Sequence, residues 1–168
     1  QKEKKPLTEN IVKKSQSLFL LPKKKPTIYR SVEKDIKSST VLNDKDFKRA
    51  KEVFINIKKN KWSNAFSQTK KIKDKEFTKL VNWMYLKRTS NNATFNDYQR
   101  FINENDYYPR INRLKYLAEH KIILRNTTPK AIINWFEKNP PLSGTGKVKL
   151  AEAFFKIGEN NKAIDLLK

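Results

Sequence analysis

Cysteine is absent from the 168 residues, and histidine occurs once, at His120. Without thiols the chain forms no disulfide, no thiolate nucleophile and no Cys-ligated zinc site. A Cys-free protein suits an oxidising space and the cytosol equally, so this absence leaves the compartment open. Glycine is scarce, with three residues, and no segment alternates apolar and polar positions with period two. Hairpin-rich β folds are thereby excluded. Long apolar runs are missing as well. A membrane helix needs roughly 18 to 20 apolar residues, and the run at residues 18–21 is too short even for a signal-peptide core. The first residue is Gln1 rather than Met, the start expected of a processed mature protein or a fragment with any export signal removed.

Acidic residues are the remaining scarcity. Against 38 Lys plus Arg stand 17 Asp plus Glu, so the formal charge is 38 − 17 = +21. At 37% hydrophobic and 11% aromatic the chain still holds enough apolar residues for a core. The positive charge is carried by 31 Lys and only 7 Arg, beside 17 Asn and 14 Ile, the residues that AT-rich codons supply. Arg provides the planar fork that clamps phosphate bidentately, so a Lys-heavy balance points to diffuse attraction of an anionic partner.

Residues 1–42 read as a basic tail or linker. Pro6, Pro22 and Pro26, with the lysine runs at 4–5 and 23–25, predict an extended segment or an arm lying on a partner. From Asn43 the pattern becomes short helices with short connectors. Asn43 or Asp44 caps a helix over about 44–59 whose inner face carries Phe47, Ala50, Val53, Phe54 and Ile57. Trp62, Ala65, Phe66 and Thr69 mark a second helix, antiparallel to the first. Asp74 opens a third, with Phe77, Leu80, Val81 and Met84 inward, and Thr94 caps a fourth bearing Phe95, Tyr98, Phe101 and Ile102. Pro109 is expected at the first position of a fifth helix, with Leu114, Leu117 and Tyr116 on core-facing positions and an end near His120. Thr128-Pro129 starts the next and Asn139-Pro140-Pro141 stops it. Ser143 caps another, Gly158 ends it, and Ala163 lies in the last. Two turns resemble each other, each placing an alanine, Ala65 or Ala163, just after a polar connector, as tetratricopeptide-like repeats do. The expectation is an all-α domain over residues 43–168, built of antiparallel helical hairpins stacked in a curved superhelical array.

No constellation of catalytic residues emerges. His120 follows Glu119 directly, and adjacent helical side chains diverge by about 100°, so the pair cannot converge on one atom. Ser143-Gly144-Thr145-Gly146-Lys147 lacks the glycine spacing of a phosphate loop, and Val148 stands where that loop needs Ser or Thr. Asp44, Asp46, Asp74, Glu76, Glu104 and Asp106 fall at helix ends, where solvated caps explain them. Lys61-Trp62, Tyr107-Tyr108-Pro109-Arg110 and Arg113-Leu114-Lys115-Tyr116 interleave rings with cations, a single-strand nucleic-acid pattern that competes with packing of the same rings. No catalytic residue, metal ligand or cofactor is expected.

One resemblance goes further. Phe101-Ile102-Asn103-Glu104-Asn105-Asp106-Tyr107-Tyr108-Pro109, then Leu114-Lys115-Tyr116-Leu117-Ala118-Glu119, then Trp135-Phe136 and Pro140-Pro141-Leu142-Ser143-Gly144-Thr145-Gly146-Lys147 resemble the N-terminal superhelical domain of soluble lytic murein transglycosylases. The family pattern has a phenylalanine-containing helix, an aromatic-proline turn, an alanine-glutamate pair and a Pro-Leu-Ser-Gly-x-Gly-Lys helix start. Asn60-Lys61-Trp62-Ser63-Asn64-Ala65 and Leu80-Val81-Asn82-Trp83 also fit it. The resemblance implies a periplasmic parent enzyme that cleaves the bond between N-acetylmuramic acid and N-acetylglucosamine without water, leaving a 1,6-anhydro end. The family's catalytic glutamate lies in a C-terminal lysozyme-like domain, so none is assigned here, and Glu119 is not given that role. The implied partners are peptidoglycan, that catalytic domain on the same polypeptide, and cell-wall synthesis proteins, with no membrane span. Arg110, Arg113 and Lys147 are the candidate substrate contacts. A tetratricopeptide-like protein-interaction scaffold and, less favoured, a nucleic-acid-binding helical repeat stay open.

Overall fold

A computed structural model describes residues 37–168; of the tail expected over residues 1–42, residues 1–36 lie outside them. All regular structure among the described residues is helical: α1 (Asp44–Lys58), α2 (Trp62–Thr69), α3 (Lys75–Leu86), α4 (Phe95–Glu104), α5 (Ile111–Glu119), α6 (Pro129–Lys138), α7 (Gly144–Lys156) and α8 (Asn160–Leu167). The starts follow from local chemistry. Asn43, Asp74, Thr94, Thr128 and Ser143 each turn a side-chain oxygen onto an amide of the first turn, satisfying donors that the helix leaves orphaned. Thr94 and Asp97 complete a reciprocal capping box.

The two similar turns in the sequence are alike in backbone. Asn60 and Gly158 take positive φ, 59° and 83°. In each turn the next amide reaches back five residues, Lys61 to the Asn56 carbonyl and Glu159 to that of Phe154, at 2.8 and 3.0 Å. This is the Schellman closure, which asparagine and glycine accommodate with least strain. Five positions past Asn60 and Gly158, Ala65 and Ala163 are fully buried, and the small side chain lets α2 lie close on α1 and α8 on α7.

Packing runs mainly between consecutive helices, with α5 against α7 as the prominent exception. A smaller apolar cluster joins α1, α2 and α3 through Ala50, Val53, Ala65, Phe77 and Val81. A larger one draws on α4 to α7, with Tyr98, Leu114, Ile132, Trp135 and Leu150 among its members. The third helix serves both, sending Val81 into the first and Leu86 into the second.

The α5–α7 contact has a polar centre. Glu119, 1% exposed, accepts the Leu142 amide at 2.6 Å and the Ser143 hydroxyl. Ser143 in turn accepts the Gly146 amide at 3.0 Å. A carboxylate is thus held at the positive end of α7 by charge-assisted hydrogen bonds. Gly146 is required there: a Cβ would stand 2.6 Å from the Glu119 carboxyl carbon, whereas Gly144 faces open space.

Three expectations need correction. Pro109 is not the first residue of α5. Its carbonyl is taken by the Trp83 indole at 2.9 Å, Arg110 turns left-handed, and the Arg113 amide closes on Arg110 instead. Tyr116 is 40% exposed and lies edge-on to His120 rather than in the core. Asp46 is not a solvated cap but buried, meeting Asn43 Nδ2 at 2.9 Å and, more loosely, Arg49 and the Lys73 amide, both at 3.4 Å. Burial opposes its ionisation, but the hydrogen bonds from Asn43, Lys73 and Arg49 outweigh it and hold the carboxyl below the usual aspartate value.

The glycine contrast is directly measurable. Gly146→Ala should cost about 1–3 kcal/mol through overpacking, and Gly144→Ala should be neutral or stabilising by up to about 1 kcal/mol. Glu119→Ala should cost about 3 kcal/mol by stranding two donors. Denaturant melts of the three variants rank them. Asp46 sets an acid limb. With its folded value depressed, the unfolded chain binds the proton first, so stability is present above about pH 4 and declines as pH falls toward the folded value. Asp46→Asn should flatten that decline in thermal melts taken from pH 6 to pH 2.

Candidate functional site

Lys79, Trp83 and Lys87 recur every fourth residue along α3 and its C-cap, a spacing that puts them on one helix face. The Lys87 ammonium lies 4.1 Å from the centroid of the Trp83 ring, a cation–π distance. Trp83 is fixed from its other side, donating its indole N–H to Pro109 and stacking obliquely on Tyr108 at 6.3 Å. Tyr107, 67% exposed, sits 5.5 Å from Tyr108, ring to ring. Its hydroxyl meets the Lys79 ammonium at 3.5 Å, while Glu76 holds the same ammonium at 2.7 Å. That carboxylate raises the Lys79 pKa above the usual lysine value, against a smaller opposing effect of burial, so the cation persists at neutral pH.

The segment that carries the tyrosines also delivers Arg110. This residue is exposed and left-handed, with φ 57° and ψ 35°, and no side chain caps the helix it begins. Arg113, also exposed, follows in the first turn of α5, where no acidic residue stands. Two cations therefore occupy the positive end of a helix dipole, an arrangement that an approaching anion relieves. The surface offers the exposed Tyr107 ring and the half-buried Trp83 and Tyr108 rings, with Lys79, Lys87 and Arg110 beside them. It is suited to a partner with flat apolar faces and negative groups.

Of the three sequence candidates, Arg110 adjoins this surface through Pro109, Arg113 follows three residues on in the first turn of α5, and Lys147 stands apart. The nine residues of α5 span about 13 Å, and Lys147 lies exposed beyond their far end, beside Gly146 and Glu119. Lys79, Trp83 and Lys87 were not singled out as a site from sequence. Their four-residue spacing is the signal that could have found them. Among the described residues no group of His, Asp and Glu is placed to hold a metal ion, and no helix is long and apolar enough to cross a membrane.

The Arg110 backbone gives a clean probe of how the surface is built. A non-glycine left-handed residue costs roughly 1–2 kcal/mol, and this arginine makes no compensating side-chain cap. Arg110→Gly should raise the denaturation midpoint by the equivalent of about 1 kcal/mol, and Arg110→Val should lower it. No family model, curated protein or solved structure matches the chain.

Proposed function

We infer that residues 43–168 are the non-catalytic superhelical scaffold of a periplasmic peptidoglycan lytic transglycosylase. The scaffold holds glycan strands for a catalytic domain on the same polypeptide, which makes the 1,6-anhydro ends, and gives cell-wall synthesis proteins a surface to meet. The observation that carries this reading is the Lys79–Trp83–Lys87 face with Tyr107 and Arg110. Sugar rings present apolar faces that lie on aromatic rings, and the carboxylates of peptidoglycan suit the surrounding cations. A second support comes from the motif pattern. The alanine-glutamate pair and the Pro-Leu-Ser-Gly-x-Gly-Lys helix start, far apart in sequence, form one contact through Glu119, Ser143 and Gly146. The two parts of the resemblance are then parts of one structural device.

The test is co-sedimentation of the full chain with purified sacculi. Binding is expected to weaken at least tenfold in a Lys79→Gln, Lys87→Gln, Arg110→Gly triple variant whose melting temperature is not lowered, and to weaken as salt rises. Failure to sediment with sacculi overturns the reading. So does better competition by single-stranded nucleic acid than by peptidoglycan fragments, or release of anhydro-muropeptides by these residues alone.

A further inference from the structure

A cavity of about 320 Å³ lies between α3 and α4, lined by Asn82, Tyr85, Asp97, Arg100, Phe101 and Glu104 among others. That volume is at the lower end of the range of small-molecule sites, about 300–1,000 Å³. Asp97, Arg100, Phe101 and Glu104 line it because positions i, i+3, i+4 and i+7 share one helix face. The packing of Leu86 and Phe101 into the core fixes the two helices that form its walls.

Its charges are not spent on one another. Arg100 makes no hydrogen bond and no ion pair with Asp97 or Glu104 among the described residues, and acts on Asp97 only through its longer-range field. Asp97 commits one oxygen, Oδ2, to the Thr94 amide and hydroxyl at 2.9 and 2.7 Å, which leaves the other without a hydrogen bond. The Glu104 carboxylate and the Asn82 amide are likewise unpartnered there. A guanidinium thus stands between two carboxylates on one helix face, in a cavity that Tyr85 and Phe101 also line. On a chain of charge +21, these three residues sum to −1. A phosphate or a nucleic-acid backbone would meet two carboxylates for one cation. A ligand bearing both signs would meet a partner for each.

We propose that this cavity binds the zwitterionic form of a short peptide, with its α-carboxylate on Arg100, its ammonium on Glu104, and its peptide group on Asn82. Arg receives a carboxylate bidentately. Helical residues four apart have Cβ atoms about 5–6 Å apart, which the ends of an extended dipeptide, roughly 7 Å long, match. The proposal does not rest on the cell-wall reading, since any free dipeptide qualifies.

The probe is alanyl-alanine titrated into the full chain, followed by amide chemical shifts. Saturable shifts are expected at the Asn82, Tyr85 and Arg100 amides, with no shift of the Trp83 indole N–H, which is held by Pro109 on the other face. N-acetyl-alanyl-alanine and alanyl-alanine amide, each lacking one charge, should bind at least tenfold more weakly. Arg100→Gln and Glu104→Gln, both at exposed positions, should do the same without a change in melting temperature. Absence of saturable shifts, equal binding of the capped peptides, or displacement of the dipeptide by inorganic phosphate would overturn the proposal.

Discussion

The Glu119 carboxylate on the start of α7 is the contact on which the C-terminal half depends. Consecutive helices find each other through short connectors, but α5 and α7 are separated by a whole helix and meet through this group. A buried carboxylate is costly to desolvate. It is tolerable because the Leu142 amide and Ser143 hydroxyl point at it and because α7 presents the positive end of its dipole. Gly146 contributes by absence, leaving room for the carboxylate against the backbone. Cap, glycine and carboxylate are each ordinary alone; together they fix where α7 stands on α5.

The N-terminal half is held differently. There the join is the left-handed Asn60, whose side-chain oxygen accepts both the Trp62 indole and the Arg88 guanidinium at 3.0 Å. A turn between α1 and α2 is so tied to the end of α3. Gly158 makes the same turn between α7 and α8 without a side chain, and those two helices rely on the close approach over Ala163. One backbone solution is thus used twice, once with a polar tether and once without.

What could be read from the sequence divides along the same line. Helix starts at Asn43, Asp74, Thr94, Thr128 and Ser143 were legible because a cap acts on amides two or three residues away. The Ala65 and Ala163 repeat was legible for the same local reason. The burial of Asp46 was not, since the Lys73 amide that helps to hold it is 27 residues distant. Pro109 looked like a helix start until the Trp83 indole, 26 residues away, claimed its carbonyl. Tyr116 fell on a plausible inward stripe, but α5 is short and Leu114, Leu117 and Ala118 already fill its buried face. Arg110 and Arg113 were named as substrate contacts with the family resemblance and stand together at the start of α5. Lys147 was named with them and stands elsewhere, because adjacency in a motif says nothing about which end of a neighbouring helix the motif reaches.

Net charge is therefore a poor guide to what this molecule meets, and local arrangement a better one. The same third helix presents two unlike surfaces. Toward the 105–110 segment it lines up Lys79, Trp83 and Lys87, where cations border one exposed ring and one half-buried ring. Toward α4 it contributes Asn82 and Tyr85 to a concavity in which two acids flank one arginine. A field of +21 draws any polyanion to the surface as a whole, yet within a few ångströms of either face the nearest groups dominate the Coulomb sum. The broad field governs encounter, and the separation of rings with cations on one side from unpaired charges of both signs on the other sets what each face can hold.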